Sequence, residues 1–300
     1  MKTTKYYLAA ISAYIIWGFF SLALKPIHEY ASLDILFYRV FSCSLLLLAI
    51  TGILKRKTLL QNISVFRNMD PSARRRNVLL NVGGSFFLIA NWFTFIYVMN
   101  HVSVKATSLA YLVCPILTTL LARLFLKEKL HNTQWVAVGL SVLGCLLLSY
   151  ADIMDMFFSI IIGFTYACYL VSQRINKEFD TFIVLTVHIT VAALFLLPFY
   201  ASFSQPMPVE AKFYISIETI AVLFTILPLF LNLYALSGIN SSTVGMLLNI
   251  NPMIAFLLAY FVFRELITPL QIVAYSIIFL AVLVFNVPQF LKRKIPSDEN

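Results

Sequence analysis

Long apolar runs separated by short polar or turn-forming stretches fill almost the whole chain. They fall at residues 6–24, 33–54, 77–99, 103–126, 132–150, 156–173, 181–200, 214–237, 241–263 and 268–288. Crossing a hydrocarbon layer ~30 Å thick takes about 20 helical residues at 1.5 Å each, and each run is close to that length. The runs are continuously apolar, without the alternation and ~10-residue segments of a membrane barrel, so they predict helices and not strands. The pattern therefore predicts an all-α integral membrane protein with ten transmembrane helices. The first run ends at Leu24 in KPIHEYAS, with no small-x-small cleavage site, and reads as an uncleaved first helix.

Composition sharpens this picture. Of 300 residues, 61% are hydrophobic and 12% charged, whereas a soluble domain is about 45–50% apolar and about 25% charged. Ten spans leave no length for a soluble domain. The net charge of +9 does not signal nucleic acid, because the basic residues lie between the apolar runs, as in cytoplasmic loops of membrane proteins. With both termini in the cytoplasm, seventeen Lys and Arg lie inside and four outside, with Arg39 within a span. The inner set comprises Lys2, Lys5, the basic loop from Lys55 to Arg76, the segments Arg123 to Lys129 and Arg174 to Lys177, and Lys292 to Lys294. This asymmetry predicts a multi-pass protein of the bacterial inner membrane with cytoplasmic termini. Cys43, Cys114, Cys145 and Cys168 sit inside apolar runs with no C-x-x-C pair and read as small core residues, neither staples nor metal ligands.

The chain also repeats itself. Residues 108–135 align without a gap on residues 245–272, a separation of 137, matching Pro115 with Pro252, Lys127-Glu128 with Arg264-Glu265 and Gln134 with Gln271. Tyr97 meets Tyr234 at the same separation, and at 149 Arg39 falls on His188 and Lys25 on Arg174. Five spans is an odd number, so two such units in series enter the membrane from opposite sides, as an inverted repeat with a pseudo-twofold axis in the membrane plane. The expected organisation is one five-helix unit over residues 1–150, a second over 151–290, and a polar cytoplasmic tail over 291–300.

The stretches NWFTFIYVMN (91–100), SLAYLVCP (108–115), FLKEKL (125–130) and QWVAV (134–138), with YRVF around Arg39, TILPL (225–229) and STVG before the ninth span, resemble the drug/metabolite transporter superfamily. The likeness is to its EamA-type, RarD-like branch and covers essentially the whole chain. Where members of that branch tend to have Asn before the fourth-span proline, His before the second-span arginine and Gly-x-x-Pro in the first span, this chain has Cys114, Tyr38 and Gly18 followed by Ser21. The resemblance implies ten helices around a central cavity formed by both halves, and export or exchange of amino-acid-like metabolites or drugs.

Ionisable side chains within a span cost a few kcal/mol unless a cavity or partner receives them, so each is a functional candidate. Arg39 has two readings, a contact for an anion or carboxylate at the cavity mouth, or a snorkelling cation that clamps a helix end. His188 either binds a proton or solute or is a neutral imidazole bonded to backbone. Glu218 reads as an interfacial carboxylate or part of a solute path. Asn91, Trp92, Tyr97, Tyr111, Tyr234 and Asn249, with Asn251, bring amide, indole and phenol groups to membrane depth, where they either line a wet cavity or hold helices together. Pro115 and Pro252 each remove a helical hydrogen bond and supply either gating kinks or inert bends. Lys127-Glu128 and Arg264-Glu265 are expected to secure helix ends.

No H-E-x-x-H, G-x-S-x-G or phosphate-binding loop is present, which speaks against an enzyme and against an ATP-driven pump. The expectation is a secondary exporter of small metabolites, such as amino acids or amphipathic drugs, working by alternating access without catalytic residues, metal or cofactor. Coupling to protons or a counter-solute stays open, as does a homodimer. Its partners are membrane lipid and a small solute. The rival classes are an intramembrane enzyme acting on lipids and a membrane sensor or scaffold.

Overall fold

The computed structural model describes residues 3–102, 104–149, 153–264 and 266–292. Regular structure among them is entirely helical. Span 1 is α1 (Thr4–Gly18) and α2 (Phe20–Leu24), with a 3-10 turn Lys25–Ile27. Spans 2 to 7 are α3 (Ser32–Ile53), α5 (Pro71–His101), α6 (Val104–Phe125), α7 (Asn132–Ser149), α8 (Ile153–Ile175) and α9 (Thr181–Phe203). Span 8 is α10 (Ala211–Ala221) and α11 (Leu227–Gly238) joined by a π turn, Val222–Ile226. Span 9 is α12 (Ser241–Leu247) and α13 (Ile250–Phe261), and span 10 is α14 (Pro269–Lys292). Among the described residues, with each of spans 8 and 9 counted as one, nine helices are long and apolar enough to cross a membrane, and the bent first pair brings the number to ten when it counts as one span.

Three details depart from the apolar pattern. The basic loop between spans 2 and 3 holds a further helix, α4 (Arg56–Arg67), too polar to cross a membrane. Span 1 bends by 42° between Gly18 and Phe20, although no proline stands there. Span 9 breaks at Leu248 and Asn249, four and three residues before Pro252: with the N–H of Pro252 missing, Leu248 O accepts from Asn251 N instead at 3.0 Å. The repeat mate Pro115 leaves α6 continuous.

Lys2, Glu265, Arg293 and Lys294 lie outside the described residues, as does the tail from residue 293. Contacts define two faces. Lys5 meets Tyr234, Arg76 pairs with Glu178 at 3.0 Å, and Arg174 donates to Leu236 O at 2.7 Å. These segments hold most of the basic side chains, and we call this the basic face. At the opposite face Lys212 pairs with Glu29 at 3.7 Å and Asp34 accepts from Gln205 N at 3.2 Å.

The main packing pairs all join the first five spans to the last five: α6 with α8, α5 with α8, α1 with α11 and α13, α3 with α9, α7 with α14, and α6 with α12. Small residues allow the close approaches. A Cβ on Gly18 would stand 2.6 Å from Ile254 Cβ, so α1 rests on α13 only because that atom is missing. Gly245 plays the same part between α12 and Thr118 of α6.

Candidate functional site

Two turns into α3 from the opposite face, Arg39 reaches across to α5. Its guanidinium lies 5.1 Å from the Trp92 ring and 6.0 Å from Phe20, inside cation–π range. Its Nε is buried without a hydrogen-bond partner, and no described carboxylate pairs with it. Tyr111 of α6 and Cys43, one turn further along α3, are its electrostatic neighbours. Tyr111 also packs tilted against Phe95, with ring centres 5.7 Å apart. Arg39, Trp92, Phe20 and Tyr111 all lie about two to three helical turns, ~10–14 Å, below the opposite-face ends of their spans. They form a cation in an aromatic setting with its buried Nε unpartnered. A carboxylate meets both needs of such a group, charge and planar donors.

Below this cluster a chain of hydrogen bonds crosses the core. Tyr14 donates to Asn232 Oδ1 at 3.0 Å, and Asn232 donates to the Tyr166 hydroxyl at 2.9 Å, joining α1, α11 and α8. Trp17 donates to Phe224 O at 2.9 Å, a carbonyl within the π turn of span 8.

The basic face is closed by contacts between the halves. Glu128, just past α6, accepts from Ser241 N and Oγ at 2.9 and 2.8 Å with one oxygen. Its other oxygen accepts from Ser242 N and Oγ at 3.2 and 2.5 Å. The carboxylate thus caps the start of span 9, where unpaired N–H groups favour a negative charge. Lys127 sets it there with a left-handed backbone, φ 54°, while Glu128 N bonds back to Ala122 O. Arg264, the repeat mate of Lys127, has φ 57°, and these are the two positive-φ residues that are not glycine among the described residues. Beside this lock Tyr6 packs on Gly238 and on the Tyr234 ring, 5.0 Å away, with Lys5 over both tyrosines.

The sequence candidates therefore divide. Arg39, Trp92 and Tyr111 come together. Tyr234 belongs to the closure at the basic face. Asn91 donates to Ile162 O at 2.9 Å and Thr165 Oγ1 at 3.3 Å, tying α5 to α8. Tyr97 stands exposed against His101. Asn249 is buried in the break of span 9, with Nδ2 3.4 Å from Met246 Sδ and Oδ1 unpartnered. His188 is fully buried, its Nδ1 3.4 Å from the Tyr169 hydroxyl and its Nε2 unpartnered beside Gly84. Glu218 is exposed and accepts from Ser42 Oγ at 2.6 Å. The four cysteines are free, and no group of three His, Cys, Asp or Glu among the described residues is placed to hold a metal. Sequence reasoning did not connect Glu128 with Ser241 and Ser242. The signal was the Glu128–Glu265 match in the repeat, but the partner lies 113 residues away.

The sequence matches the EamA-like transporter family over residues 4–150 and 153–287. It is 26% identical to the "Uncharacterized transporter YojE" of Bacillus subtilis (strain 168) over 295 residues, covering 96% of this chain and 95% of that one. With "Protein RarD" of Escherichia coli (strain K12) it shares 26% identity over 291 residues, 95% and 94% of the two chains. With "Protein RarD" of Salmonella typhi the figure is 28% over 295 residues, 95% of each. A solved crystal structure superposes with a TM-score of 0.75 and 14% identity, covering 98% of this chain and 100% of the other, a likeness that concerns the fold alone.

Proposed function

This chain belongs to the EamA-like transporter family, on its RarD-like branch, and from that premise we propose that it is a secondary exporter of small carboxylate-bearing metabolites or amphipathic drugs. It works in the bacterial inner membrane, with the basic face in the cytoplasm. The observation that carries this reading is Arg39: a guanidinium inside the bundle, stacked on Trp92, with no counter-ion among the described residues. A charge at that depth costs free energy that a bound anion offsets. Solutes that join a carboxylate to an apolar or aromatic body fit both Arg39 and the rings of Phe20, Trp92 and Tyr111.

Two five-helix halves then alternate access around this site. Numbering the spans 1 to 10 and adding five turns the contact of spans 3 and 6 into that of 8 and 1, and that of 4 and 6 into 9 and 1. The pairs 2 and 7, 4 and 9, and 5 and 10 map onto themselves. That the strongest pairs keep their partners under this exchange supports a twofold relation, and a twofold relation permits a second state with the roles of the faces reversed. Glu128 on Ser241 and Ser242 then locks the basic face in the state described, while the Arg39 cluster serves solute from the other side. The test is flux across sealed vesicles containing the purified protein, with a panel of amino acids and amphipathic carboxylates and with protein-free vesicles as reference. Flux of carboxylates that disappears in Arg39→Gln is expected; no flux across the panel would overturn the reading.

A further inference from the structure

The helix α4, between spans 2 and 3, has a division of surface that transport does not use. Thr58, Leu59, Asn62 and Phe66 are half-buried and face the protein. Asn62 Oδ1 accepts from Asp180 N at 2.8 Å and Phe66 packs tilted against Phe179, ring centres 6.2 Å apart, both partners lying in the segment joining spans 6 and 7. The helix is therefore held in place, and its free side has a fixed direction. Along that side Arg56, Leu60, Ile63 and Arg67 are all exposed, and their spacing of four, three and four residues puts them in one line on the helix. The line reads cation, apolar, apolar, cation. Neither arginine has a carboxylate partner among the described residues, where Arg76 takes Glu178 and Lys212 takes Glu29. Exposed Lys55, Lys57 and Arg75 add charge of the same sign, and Leu60 is 56% exposed.

A stripe of this kind, joining two spans at a membrane face, fits one partner by chemistry. We propose that it binds anionic phospholipid of the membrane in which the protein sits, with Leu60 and Ile63 at the acyl boundary and Arg56 and Arg67 on the phosphates. Guanidinium groups pair with phosphate oxygens through two parallel hydrogen bonds, which a zwitterionic headgroup offsets with its own cation. Because α4 follows the first two spans yet rests on the segment between spans 6 and 7, lipid held there also steadies contact between the two halves at the basic face.

Native mass spectrometry of the purified full chain, carried in equal amounts of phosphatidylglycerol and phosphatidylcholine, tests this. The protein is expected to retain phosphatidylglycerol in preference, and Arg56→Gln with Arg67→Gln to reduce that preference at least about tenfold, since each basic residue contributes roughly fivefold. Lys212→Gln, at the opposite face, is expected to change it far less. Should the double variant not fold, a salt series on the unaltered protein decides, because the preference must fall steeply as ionic strength rises. Equal retention of the two lipids, or a preference untouched by the double variant or by salt, would overturn the assignment, and so would a protein partner found covering the stripe in the membrane.

Discussion

An arginine within the membrane without a counter-ion lowers stability, and Arg39 is kept despite that cost. The cation–π contact with Trp92 recovers about 0.5–2 kcal/mol, less than the few kcal/mol of placing the charge there. We therefore expect Arg39→Leu to raise the unfolding free energy by about 1 kcal/mol while abolishing carboxylate flux, the opposition typical of a site that trades stability for function. Thermal unfolding and vesicle flux on the same preparation check it; a variant that loses stability together with flux would mark Arg39 as a packing residue. His188 is the other ionisable group in the spans that its repeat position brought forward. It touches Tyr169 and stands beside Gly84, with no carboxylate among the described residues bonded to it. Flux of His188→Gln is expected to follow pH in parallel with the unaltered protein, and a flattened profile would make the imidazole a coupling group. Both residues were visible in the sequence as rare ionisable groups in apolar runs. That Arg39 would meet Trp92 while Asn91, its neighbour, turns to bond α8 was not visible, because adjacent residues on a helix point about 100° apart and the hydropathy of α5 does not say which face looks inward.

Helices were the most legible level, since continuous apolar runs of about 20 residues have few other solutions in a membrane. What hydropathy missed are features set by polar or tertiary causes. The helix α4 went unseen because RKTLLQNISVFR is amphipathic and not apolar. The bend in span 1 has no proline to announce it, and Gly18 is fixed in identity by Ile254, far along the chain. Gly18→Val is expected to cost about 1–3 kcal/mol in thermal unfolding, as overpacked helix contacts do; an unchanged melting temperature would mean that α1 and α13 part readily. The pairs Lys127-Glu128 and Arg264-Glu265 were read as securing helix ends, and Glu128 does so, but for a helix of the other half. Glu128→Ala removes one carboxylate from four donors and is expected to cost about 2–4 kcal/mol, because hydrogen bonds to charged groups are the stronger ones. Thiol labelling of a cysteine placed at Ser241 should accelerate in that variant, whereas an unchanged labelling rate would show that the closure rests on Tyr6 and Gly238 instead.

At the scale of the molecule, the membrane class and the family were legible in full, from composition and from stretches such as SLAYLVCP and FLKEKL, and the two family matches cover nearly the whole chain. The twofold relation was suggested by a few aligned residues, and the strongest helix contacts keep their partners when each span is exchanged for the one five further on. The state itself could not be read from sequence, because two arrangements of one chain share every residue. On the proposed reading, passage of solute beyond the Arg39 cluster requires the closed basic face to open in turn, so tying that face shut is the direct test. With the four native cysteines replaced, Glu128→Cys and Ser241→Cys are bridged by a short bis-maleimide in sealed vesicles. Bridging is expected to stop flux while carboxylate binding from the opposite side persists; full flux through the bridged protein would contradict alternating access through this face.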